Sequence, residues 1–178
     1  MILGPPETID DATLAFCATI SPETPFYVPV SPAPHGKVAY CFDNSVEQAR
    51  LHGGEAAYGW AIWHWPGRWF EAEHHAVWRQ PSGELLDVTP QAGDPPRILF
   101  LPDPEAVYDP ATFRPNVMAP DAGNELAREY IELVKQRGAI TRAYWSPGID
   151  VLPLFSKEDQ ARLAPIEARM ADLRAAMT

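Results

Sequence analysis

The alternation of apolar and polar positions sets one stretch, Val38 to Pro90, apart from the rest of the chain. Within it, Ala57-Tyr58-Gly59-Trp60-Ala61-Ile62-Trp63-His64-Trp65 is rich in aromatic and branched strand formers. Pro66-Gly67 signals a turn. Trp69 to Arg79 then alternates. Its even positions Phe70, Ala72, Ala76 and Trp78 read as a core face interrupted by His74, and its odd positions Glu71, Glu73, His75 and Arg79 read as an open face. Gln80-Pro81-Ser82-Gly83 turns the chain again. Glu84 to Thr89 follows, with Leu86 and Val88 on one face and Leu85, Asp87 and Thr89 on the other. Ahead of the hairpin, Phe42, Val46 and Ala49 recur at helical spacing. Asp43, Asn44 and Ser45 are candidate caps, and Asn44 with Glu47 or Ser45 with Gln48 fits a capping box. Gly53-Gly54 supplies a C-terminal cap.

Outside this stretch the pattern is plainer. Residues 1–7 read as a loose tail. Thr8 caps a short helix with Asp10 and Asp11 in its first turn and Leu14, Cys17 and Ile20 inward. Ser21 to Pro34 carries five prolines and reads as an extended, polyproline-like segment anchored by Phe26, Tyr27, Val28 and Val30. Gln91 to Pro96 is a loop. Arg97-Ile98-Leu99-Phe100-Leu101 is a short buried strand stopped by Pro102. Asp103 to Pro120 is a long proline-bearing loop of the kind that forms a rim or lid. A helix over about 122–137 presents Leu126, Tyr130, Ile131, Val134 and Lys135 on one face and closes at Gly138. Tyr144 to Gly148 turns, and Ser156 caps a last helix. That helix carries the stripe Leu163, Ile166, Met170, Leu173 and Met177, with Pro165 as a break or kink. The stripe suits docking on the core or a dimer seam; docking is the expectation at this length.

These elements predict an α+β fold: a four- to five-stranded, largely antiparallel sheet with helices packed on it. At 178 residues and 46% apolar, the chain forms one domain, 1–178, with a true core. It divides into a Pro-rich arm with a short helix (1–37), a central core (38–101) and C-terminal helices (121–178). Composition narrows the partners. Fourteen Lys+Arg against 24 Asp+Glu argue against a phosphate backbone or an anionic membrane surface. Two cysteines make no disulfide framework, and Cys17 reads as a helix core residue. No leader pattern and no run of about 18 apolar residues is present, so the expectation is a cytoplasmic protein.

The candidate chemistry lies in the central stretch. Cys41 sits at or just before a helix N-terminus, where free N–H groups and the dipole favour an anion such as a thiolate. Register decides which histidine joins it. If Phe70, Ala72, Ala76 and Trp78 share a core with Leu86 and Val88, paired residue numbers sum to an even value, which needs an odd loop or a bulge. His75 then shares a face with Asp87, and His74 points to the core; an even loop exchanges the two. Thiol, imidazole and carboxylate together give a nucleophile, a base and a group that fixes the imidazole tautomer. The tryptophans read as core and hairpin packing, and one indole N–H is a candidate oxyanion donor. Glu71, Glu73 and His75, with Asp87 facing them, are an alternative set of ligands for a divalent ion.

Cysteine before a helix, then His75-Ala76-Val77-Trp78, then Asp87-Val88-Thr89-Pro90, resembles the core of the papain-like and transglutaminase-like thiol enzymes. Transglutaminase-like cores carry a His-Ala-Trp strand and an Asp-Pro-Thr strand; here Trp78 falls one residue late and Thr89-Pro90 is inverted. Cys41-Phe42-Asp43-Asn44 is similar to the cysteine motif of arylamine N-acetyltransferases, without the Arg-Gly-Gly that precedes it there. Tyr58-Gly59-Trp60 through Trp65-Pro66-Gly67 also resembles a group of bacterial proteins from which no activity carries over. The resemblance implies Cys41 as nucleophile, His75 as base, Asp87 as orienting acid, and no cofactor. The expected function is a cysteine-dependent hydrolase or acyl transferase acting on a small-molecule or peptide amide or thioester. The alternatives are a non-catalytic interaction module presenting the Trp-rich hairpin, and a metal-dependent enzyme.

Overall fold

The computed structural model of the chain describes residues 3–146 and 154–178. Among these residues six strands form one sheet: β1 (Phe26–Pro29), β2 (Glu55–Trp65), β3 (Trp69–Arg79), β4 (Leu85–Leu86), β5 (Arg97–Pro102) and β6 (Val117–Pro120). The order is β1-β5-β2-β3-β4, with β6 also on β3, and every strand pairing is antiparallel. Four α-helices accompany it: α1 (Asp11–Ala18), α2 (Cys41–His52), α3 (Glu125–Thr141) and α4 (Lys157–Met177). The α+β class and the largely antiparallel sheet follow the sequence pattern; the sixth strand lies in the rim loop. Among the described residues no helix is long and apolar enough to cross a membrane.

The β2–β3 hairpin is the spine. Trp65 pairs with Trp69 across a three-residue turn, and the ladder runs unbroken to Glu55 opposite Arg79. One face (Trp60, Ile62, Phe70, Ala72) packs with Leu99 and Leu101 of β5 under Phe16 and Cys17 of α1. The other face is not open along its length, as alternation alone suggests. Val77 and Ala61 on it are fully covered by Val28, Ile98 and Phe100, because the sheet curls on itself. Its last strand nearly meets its first. Asp87 N–H donates to the Pro29 carbonyl, and Ser31 N–H donates to the Asp87 carbonyl. The result is an almost closed barrel. Trp69, farther along the same face, is buried against Tyr130 of α3 and Leu173 and Met177 of α4, so the C-terminal stripe docks on the core.

Several local expectations change. The stretch read as polyproline-like supplies β1, which pairs with β5 at the start of the sheet. Prolines are tolerated there because an edge strand does not need every N–H for the ladder. Residues 4–6 are not loose: Gly4 bridges to His64, and the Pro6 carbonyl accepts from the Tyr27 hydroxyl. Asp10, not Thr8, caps α1, its Oδ1 accepting from Thr13 N–H at 2.8 Å, and Leu14 faces outward while Thr13, Phe16 and Cys17 are buried. Asn124 caps α3, which runs through Gly138 to Thr141. Ser156 caps α4 as read, but Pro165 neither breaks nor restarts it. Pro165 and Ala161, whose carbonyl loses its helical donor, are exposed, and water can satisfy that carbonyl. Pro147 and Gly148 of the expected turn lie outside the described residues.

Candidate active site

The β3 edge away from β2 carries β6 over Trp69–Ala72 and β4 over Trp78–Arg79. The interval between them has no strand partner, and α2 docks into it. The Ser45 hydroxyl donates to the Ala76 carbonyl at 3.0 Å, and the Cys41 sulfur lies 3.9 Å from the His74 carbonyl oxygen. The helix therefore packs through Cys41, Asn44 and Ser45, while Val46 of the expected apolar stripe is half exposed. Neither Asn44 nor Ser45 is a cap. Tyr40 holds that position without a capping hydrogen bond from its side chain, and Cys41 is the first residue of the helix. Asn44 instead accepts from Lys37 N–H, donates to the Lys37 carbonyl and donates to Thr89 Oγ1 at 3.1 Å. The entering loop contains Ala39 at φ 67°, a backbone conformation unfavourable for a side chain and frequent at functional sites.

The β3–β4 register pairs Trp78 with Leu86 and Arg79 with Leu85, so opposed residue numbers sum to an even value across a five-residue loop. His75 and Asp87 accordingly fall on one face. Imidazole Nε2 lies 3.3 Å from Asp87 Oδ1 without the alignment of a full hydrogen bond. The imidazole also interacts with the Cys41 thiol. His75 is 3% exposed. Burial opposes a charge on it, but Asp87 and Cys41 outweigh burial and push its pKa up to about 10. Asp87 is fully buried, and its carboxylate is held from both oxygens: Oδ1 accepts from Thr89 N–H at 3.0 Å and Oδ2 from Gln91 Nε2 at 2.8 Å.

The His74 side chain lies apart from this cluster. Its Nε2 is 2.6 Å from the Ala106 carbonyl, and its ring sits among Phe42 and Trp60. Burial first of all lowers its pKa, which suits a neutral ring donating to that carbonyl. Cys17 is buried in the core, its thiol pushed up to about 11 by burial, and it is not bonded to Cys41. The indole N–H groups of Trp60, Trp63 and Trp78 are engaged by Asp103, Glu73 and the Gly53 carbonyl, so none of these three is a free oxyanion donor. Glu71 and Glu73 accept from Asn116 and Trp63. Among the described residues no three His, Cys, Asp or Glu side chains are grouped to hold a metal ion, so Glu71, Glu73 and His75 do not form the alternative ligand set.

A groove of about 780 Å³ opens over Cys41 and His75. The long loop after β5 forms its rim through Tyr108, Phe113 and Arg114, and Tyr108 stacks on Phe42 at 4.1 Å. Thus the structure brings together Cys41, His75 and Asp87, and adds three residues that sequence reasoning did not assign to the site: Asn44, Thr89 and Gln91. Asn44 carried a misleading signal, its cap preference, while nothing in the local pattern marks Gln91. No protein-family model matches this chain, and no curated protein or solved structure is significantly similar to it.

Proposed function

We propose that this protein is a thiol-dependent hydrolase or acyl transferase acting on an amide or thioester, with a papain-like or transglutaminase-like arrangement of Cys41, His75 and Asp87. The observation that carries this reading is one contact chain. A buried imidazole lies against a carboxylate that is itself held by two donors and interacts with a cysteine thiol, at the floor of an open groove. The cysteine opens a helix packed on an antiparallel sheet, and the histidine and aspartate come from neighbouring strand segments, which supports the likeness to those cores.

The chemistry follows from the placement. His75 takes the Cys41 proton, and Asp87 stabilises the imidazolium. The thiolate adds to the substrate carbonyl, and the N–H groups in the first turn of α2, which Cys41 opens, are candidate donors for the oxyanion. The tetrahedral adduct collapses as the C–N or C–S bond breaks, and the leaving group takes its proton from His75. A thioester on Cys41 remains. Water or an acceptor amine then attacks it while His75 removes the attacker's proton, the acyl–sulfur bond breaks, and the thiolate beside protonated His75 returns.

Iodoacetamide alkylation of Cys41 against pH tests the reading without a known substrate. Rapid alkylation is expected well below the free-thiol value of about 8.5, because a protonated His75 favours a thiolate beside it. In His75→Ala the rate falls about tenfold per pH unit below the free-thiol value of about 8.5. Cys41→Ser removes the signal. A slow native reaction with the ordinary thiol profile contradicts the proposal and favours the interaction-module reading.

A further inference from the structure

Four carboxylates line the groove: Glu71 and Glu73 from β3, Asp43 from the first turn of α2 and Asp109 from the rim. Among its described lining residues one guanidinium, Arg114, opposes them, and its Nη2 donates to the Glu105 carbonyl. Glu71 and Glu73 have neutral hydrogen-bond partners only, Asn116 Nδ2 at 2.7 Å and Trp63 Nε1 at 3.2 Å. They share the strand face of His75, two and four residues before it. A rise of about 3.3 Å per residue sets the backbones of Glu73 and Glu71 about 7 and 13 Å from that of His75 along β3. Trp63 is the register partner of Glu71 and adds an aromatic surface to the same wall. On the rim the Tyr108 phenol is pushed up, first by burial and then by Asp43, Cys41 and Asp109. Beneath these carboxylates the groove floor holds Cys41 and the buried His75, whose Nε2 faces Asp87.

Building on the thiol reading above, we infer that the groove selects substrates whose arm, running along β3 away from Cys41, carries amine or guanidinium groups opposite Glu73 and Glu71. Carboxylates in a cleft with low-dielectric walls concentrate negative potential, and Trp63 offers a cation its ring face. An anionic arm meets the same field as repulsion.

Methanethiosulfonate reagents of similar size and opposite charge, ethyltrimethylammonium and ethylsulfonate, test this on the intact protein. Modification of Cys41 is followed by peptide mass. Each rate is divided by that reagent's rate with free 2-mercaptoethanol. The expected cation-to-anion ratio is at least about fivefold at low salt. It falls several-fold in Glu71→Gln/Glu73→Gln, whose side chains keep their shape. A ratio equal to the free thiol's, or one unchanged in the double variant, overturns the inference. Neutral iodoacetamide separates the two failures. If Cys41 alkylates rapidly without charge preference, the thiol reading stands and this inference falls; if Cys41 is inert to iodoacetamide, both fall.

Discussion

Asn44 shows how one residue type can serve two roles that only tertiary structure separates. By composition it is a helix cap; in the fold it lies inside the helix, 8% exposed, and bonds α2 to the Lys37 backbone and to Thr89. Thr89 N–H in turn holds Asp87. The two roles differ in a substitution. A cap accepts Asp as readily as Asn, whereas the network needs the two donations from Nδ2. Asn44→Asp is therefore expected to cost about 2 kcal/mol in urea unfolding and to slow Cys41 alkylation. A neutral Asn44→Asp would return the residue to a capping role. The candidate nucleophile, base and acid were legible because each sits beside a strong local signal: a helix start, a strand alternation, a strand end. Gln91 was not, since its role depends on where a loop returns.

At the scale of elements, the β2–β3 hairpin was readable from alternation and the Pro66-Gly67 turn, and β5 from its apolar run. β1 was hidden by prolines, and β6 by its setting in a long loop. The burial of the His75 face was hidden as well, because curvature is not written in a period of two. Gly59 is one source of that close packing. It pairs with His75 on β3 and with Pro102 on β5, and a Cβ there would stand 2.2 Å from the Leu101 carbonyl oxygen. The nearest atoms include the Leu101 carbonyl and the Pro102 backbone of β5, which cannot yield as a flexible side chain end could. Gly59→Ala is expected to destabilise by about 3 kcal/mol, read as a lower urea midpoint. An unchanged midpoint would show that β2 and β5 approach less closely than described.

For the whole molecule, the decisive feature is closure. Pairing of the chain near Val30 with Asp87 folds the last strand back toward the first, and this fixes the carboxylate against His75 while α2 presents Cys41 through the gap in the β3 edge. Three distant segments meet because the sheet is curled, so the site and the barrel share one cause. Ionisation of His75 reports that meeting. An imidazole held by Asp87 and Cys41 keeps its proton far above the ordinary histidine value of about 6.5, whereas a buried ring without those partners loses it well below. Nitrogen-15 NMR of histidine-labelled protein, with His75 assigned by a His75→Gln variant, measures this directly. The account predicts that both His75 ring nitrogens remain protonated through pH 8, with titration toward about 10 and a marked fall in Asp87→Asn. A His75 ring that is neutral at pH 7, or that titrates identically with and without the Asp87 carboxylate, contradicts it.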